Sequence, residues 1–210
     1  MKQITTTLLL LLALRGAGAQ DLGAALKETY ARFTAAQNMG DLMAASNRFD
    51  LIAGRWSGEW AANYYAAWAK AYISYQEPNP GKKDALLEQA DQFASKAGAL
   101  DPTSSETQVL NAYIAYAHMV VDPSNRWKTY LPPFNAALGK AKQANPSNPR
   151  IYYLEGIPLF YKPKAYGGGP DKAKPDFEKA QSLFAQQDTT SILKPYWGAK
   201  ENQDYLSKCN

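Results

Sequence analysis

His118 and Cys209 are the only residues of their types in a chain of 210. A Ser-His-Asp or Cys-His arrangement would have to use His118, yet no nucleophile-elbow pattern surrounds a serine and the cysteine sits beside the C-terminus. A zinc site built on His118 would need a second imidazole or clustered thiolates. The carboxylates are dispersed over helix starts and solvated faces, as at Glu88, Asp91, Asp176 and Glu178, and no calcium loop of alternating Asp is present. Gly167-Gly168-Gly169-Pro170-Asp171-Lys172 approaches a phosphate-binding loop, because glycines let backbone N–H groups close on an anion at a helix start. The G-x4-G-K-[ST] spacing is absent, and Ala173 stands where a metal-binding hydroxyl is required. The expectation is a protein that is not an enzyme and holds neither metal nor cofactor.

Aromatic residues are the richest chemical resource. Trp56, Trp60, Tyr64, Tyr65, Trp68, Tyr72 and Tyr75 crowd one segment at a density that covers more than one face of a helix. Trp60, Tyr64 and Tyr75 admit two readings: a binding surface, which favours amphipathic rings, or packing against a leading helix pair.

The N-terminus carries the marks of export. Lys2 precedes a Leu-rich run that ends at Leu14, and Ala17-Gly18-Ala19 supplies the small residues of a cleavage site. Residues 1–19 therefore read as a signal peptide and residues 20–210 as the mature domain, beginning at Gln20. The apolar run is about half the roughly 20 residues that span a bilayer, so no membrane span is expected. The mature chain has 21 basic against 19 acidic residues, a net charge of +2. That near balance provides no field for nucleic acid. With a single Cys there is no internal disulfide, and the fold must rest on its apolar core. The expected location is periplasmic or secreted.

These residues must be positioned by helices that repeat. A shift of 44 residues lays Tyr65, Trp68, Ala69 and Tyr72 on Val109, Ala112, Tyr113 and Tyr116, and a second equal shift lays those on Tyr153, Gly156, Ile157 and Phe160. Each set is one apolar helix face. Ala90, Ala94, Ala97 and Pro102 recur in the same way as Phe134, Leu138, Ala141 and Pro146. The segments Glu77 to Gly81, Asp122 to Asn125 and Tyr166 to Pro170 read as long connections between the two helices of each unit. Thr103-Ser104-Ser105-Glu106 reads as a capping box. Residues 21–38 are expected to form a leading helix and residues 191–207 a closing one. No alternating strand pattern appears.

Ala173, Phe177 and Ala180, with Ala90, Ala94, Ala97 and Pro102 and the weaker Ala45, Phe49 and Ile52, resemble the second helix of tetratricopeptide repeats. The resemblance implies an all-α helix-turn-helix solenoid of about three to four pairs with a C-terminal capping helix. It also implies a concave groove lined by the first helices. Carried onto this sequence, its polar positions are Asn63, Lys70, Ser74, Thr107, His118, Tyr161 and Lys162. The chaperone-type carboxylate clamp is not matched, since Ala66 and Glu155 stand where it needs other residues.

The function implied is an exported, non-enzymatic adaptor or scaffold that binds a peptide or partner protein in that groove. The alternative is a small-molecule-binding accessory of a solute transport system, for which an aromatic-rich pocket is suited.

Overall fold

Proline stands in the first turn of four helices, where its preset φ and missing N–H cost nothing. In three of them the preceding side chain completes the start: Asn79, Asp122 and Asn148 accept from the backbone N–H groups of Lys82, Asn125 and Arg150. The computed structural model describes residues 21–209, and the regular elements among them are all helical. In order they are α1 (residues 21–35), α2 (Met39–Arg55), α3 (Trp60–Gln76), α4 (Pro80–Leu100), α5 (Ser105–Val121), α6 (Pro123–Ala144), α7 (Pro149–Tyr161), a 3-10 turn (Lys164–Tyr166), α8 (Pro170–Phe184) and α9 (Ala199–Ser207). The proposed signal peptide lies outside the described residues. No helix among the described residues is long and apolar enough to cross a membrane.

Three sequence expectations are corrected. The extra length of the repeats lies in the second helices rather than in the connections: α4 has 21 residues and α6 has 22, while residue 122 alone separates α5 from α6. Within the Pro-containing segments read as turns, Pro80, Pro123 and Pro170 already open the following helices. Only the third connection, residues 162–169, is long. The capping box fails because Ser104, not Thr103, is the N-cap, which makes Glu106 the second helical residue and turns it inward. The closing helix starts at Ala199, and the chain before it is irregular.

The helices pack as successive pairs, α3 on α4, α5 on α6 and α7 on α8, with α2 against α3 and α9 against α8. Contacts of α5 with both α3 and α7 make these three a common layer. α3 is buried on almost every face, including Tyr64, Tyr65, Trp68 and Ile73. Burying each large side chain of this kind contributes roughly 1.5–3 kcal/mol. α7 approaches α8 closely because residue 156 is glycine, and a Cβ there would stand 2.6 Å from the Phe177 ring.

One polar cluster lies within this core. Arg150, at the start of α7, is fully buried and donates to Glu106 Oε1 of α5 at 2.9 Å and to the carbonyl of Pro195 at 2.5 Å. Its guanidinium lies 5.2 Å from the centre of the Trp197 ring. Asn148 also donates to Glu106 Oε1 at 3.0 Å, and the Tyr64 hydroxyl reaches Oε2 at 3.4 Å. The Trp197 indole N–H donates to that hydroxyl at 2.8 Å, closing a ring of contacts. Burial pushes the Glu106 carboxyl up from its ordinary value, and Arg150 opposes the shift.

Replacing Arg150 with Met leaves Glu106 without its counter-ion. Stability at neutral pH is expected to fall by about 3–5 kcal/mol. Because the upward-shifted carboxyl then takes a proton more readily, the loss relative to wild type should shrink as pH falls towards the carboxylate range. Urea unfolding of both proteins across that range checks this, and a pH-independent loss would contradict it.

Candidate ligand groove

Between α3, α5 and α7 lies a groove of about 1820 Å³, closed along one side by α9 and at its floor by Trp197. Each first helix contributes residues at helical spacing: Tyr72, Tyr75 and Gln76 from α3, Tyr113, Tyr116 and Val120 from α5, and Tyr153, Ile157 and Tyr161 from α7. α9 adds Glu201, Asp204, Tyr205 and Lys208. Trp127, near the start of α6, and Tyr166, in the 3-10 turn, form part of the rim and are 48% and 74% exposed. The volume exceeds the roughly 300–1,000 Å³ of ordinary small-ligand pockets.

The floor is held in place by its own rings. Trp197 lies 5.1 Å from Tyr113 and 6.1 Å from Trp68, centre to centre, and meets Tyr153 edge-on at 6.4 Å. Tyr75 packs on Tyr113 at 5.3 Å and donates its hydroxyl to the Tyr113 carbonyl at 3.3 Å. Across the outer end, the hydroxyls of Tyr161 and Tyr205 meet at 3.2 Å. Burial pushes the phenols of Tyr75, Tyr113 and Tyr153 well above the usual tyrosine value, and those of Tyr116 and Tyr205 upward too. The groove wall is therefore apolar and neutral on its ring faces, with hydroxyl edges available as hydrogen-bonding groups.

A smaller cavity of about 370 Å³ adjoins the groove, bounded by α1, the start of α2, α3 and the start of α9. Tyr72, Gln76, Trp197 and Glu201 belong to both.

Of the polar residues carried over from the repeat resemblance, the structure brings Tyr161 and Lys162 to the groove. The others lie in the interior. Asn63 donates to the carbonyls of Ser57 and Glu59, each at 3.0 Å, and Ser74 to that of Ala71 at 2.7 Å. Lys70 is 2% exposed and pairs with Asp50 of α2 at 2.7 Å. Thr107 accepts from the Trp60 indole and donates to the Asp101 carbonyl, both at 2.8 Å. His118 meets Asp91 of α4 at 2.9 Å and stacks on Tyr130 of α6 at 4.8 Å. The glycine loop is likewise engaged: the N–H groups of Gly167, Gly168 and Gly169 donate to the carbonyls of Lys164, Pro163 and Leu159. Cys209 is buried against α9, with its S–H directed at the Tyr205 carbonyl. Of the aromatic trio left open by sequence, Tyr64 lies in the core and Trp60 packs partly buried against it, while Tyr75 lines the groove.

The residues missed were the repeat stripe itself. Tyr72, Tyr113, Tyr116, Tyr153 and Ile157 belong to the repeating apolar face, whose periodicity alone does not tell a groove wall from a core. Trp197 and the face of α9 carry no repeat signal at all.

Among the described residues, fold and groove define an all-helical arrangement around a large aromatic-lined cavity. Its structure is similar to that of the HusA haemophore from Porphyromonas gingivalis, with 31% sequence identity and a TM-score of 0.75 over 91% of this chain and 92% of that one. The chain belongs to the family of that protein. No protein-family model matches the chain, and no curated protein does.

The buried phenols make stability depend on alkaline pH. Their folded-state values lie above the unfolded value of about 10, so below that pH both states are protonated and the stability is fully present. As pH rises beyond it the unfolded chain loses protons that the folded chain keeps, and stability falls. Phenolate absorbance followed together with circular dichroism should show the buried tyrosines ionising only as the helices melt. Full ionisation in a still-helical protein would contradict their burial.

Proposed function

We propose that this chain is a haemophore-type carrier that binds haem or a related tetrapyrrole in the groove of α3, α5, α7 and α9. The observation that carries this reading is the lining: flat, neutral aromatic faces enclose a volume suited to a large planar ring, and rings of this kind stack favourably. Kinship with the HusA haemophore supports it and favours the small-molecule alternative over the adaptor, for which no comparison speaks. The sole histidine lies outside the groove, so in this reading the macrocycle is held by its faces rather than by an imidazole–iron bond. In this reading the protein is not an enzyme: it is exported with residues 1–19 removed and works as a periplasmic or secreted carrier. The pairs α3–α4, α5–α6 and α7–α8 are degenerate tetratricopeptide-like units whose first helices hold the ligand.

Absorbance titration of residues 20–210 with haem and with metal-free protoporphyrin tests the proposal. Both should bind saturably and with comparable strength. Trp127→Ala, which removes a half-exposed rim ring without opening the core, should weaken both by about tenfold. Absence of a spectral change with either compound would rule out the groove as a tetrapyrrole site.

A further inference from the structure

Glu201 is a carboxylate in the wrong place for an indifferent apolar groove. It lies half-buried on the wall shared by the groove and the smaller cavity, with no hydrogen-bond or ion-pair partner among the described residues. Its charge reaches into the tyrosine cluster, where it adds to the upward shift of Tyr72, Tyr113 and Tyr153. Two turns later, at the C-cap of α9, stands Lys208, which also lines the groove with its ammonium 5.4 Å from the centre of the Tyr205 ring. Seven residues at the helical rise set their Cα atoms about 10 Å apart along the axis. The Tyr161–Tyr205 contact draws the ends of α7 and α9 together, and so places Lys162 at the same outer end as Lys208. Asp204 also lines the groove and is exposed like Lys162 and Lys208, so the outer part carries two bases against one acid. The charge pattern along the groove therefore runs from a half-buried acid without a partner at the inner end to a net positive outer end, where Lys162 and Lys208 outweigh Asp204.

We propose that α9 selects tetrapyrroles by where their acidic groups lie: Glu201 rejects carboxylates at the inner end, and Lys162 with Lys208 receives them at the outer end. This rests on the tetrapyrrole reading above. A macrocycle with both propionates on one edge satisfies the pattern, whereas one bearing a carboxylate on every pyrrole must set one against Glu201. Repulsion of that kind acts as selection against the wrong ligand.

The test compares protoporphyrin IX with coproporphyrin III on wild type and Glu201→Gln, by fluorescence titration. Wild type is expected to prefer protoporphyrin, and the Glu201→Gln substitution to cut that preference about tenfold. An unchanged preference overturns selection by Glu201 even where protoporphyrin binds tightly; failure of wild type to bind either compound overturns the tetrapyrrole reading and this one with it. The outer end is tested by Lys162→Gln combined with Lys208→Gln, which should weaken protoporphyrin several-fold more than its dimethyl ester. Equal weakening of acid and ester overturns the carboxylate-receiving role.

Discussion

The contact between Arg150 and Glu106 is the constraint on which the groove depends. It joins α5 to α7 inside the core, and through the Pro195 carbonyl it fastens the irregular segment that precedes α9. A buried pair of this kind is weak evidence of net stability, because desolvation offsets much of the attraction. What it gives is position. The guanidinium under the Trp197 ring and the Tyr64 hydroxyl accepting its indole N–H place that ring from two sides, and Trp197 is the surface on which α3, α5 and α7 converge.

The aromatic stripe of the first helices serves two purposes along its length. At its N-terminal end, Tyr65 and Trp68 are core residues, packed with Phe33 and Phe49 of the leading pair. At its C-terminal end, Tyr72 of α3 and Tyr116 of α5 face the groove, and in α7 the stripe faces it from Tyr153 onward. Tyrosine suits the change of role, since its ring packs like a core residue while the hydroxyl can end at an open wall. The repeat that builds the core thus carries the groove lining with it.

This continuity also explains what could be read from sequence. The periodic apolar face announced the helices, because burial on one side imposes a spacing of 3–4 residues. Their lengths were harder to read. Asp122-Pro123 and Glu77 to Gly81 look like turns until one asks whether proline stands in a first turn, where it opens a helix instead. Lys70, Thr107 and His118 occupy polar positions on the first helices, but their surroundings are decided by Asp50, Trp60 and Asp91 on other helices. Such pairings have no local signature. Trp197 was illegible for the same reason: it gains its place from Tyr64, which lies 133 residues earlier.

A preformed site binds without first ordering its own side chains, and that saving in entropy appears as affinity. Here the floor is rigid, because each ring is in contact with another and the polar ring of contacts closes behind Trp197. The rim is different. Tyr161 and Tyr166 stand largely in solvent and Trp127 half so, on the last turn of α7, the 3-10 turn and the second turn of α6. A carrier of the proposed kind needs a floor that recognises its ligand and a rim that does not imprison it. The division between pinned and exposed rings meets both demands within one aromatic surface, and the acid-to-base sequence along α9 adds a direction to it.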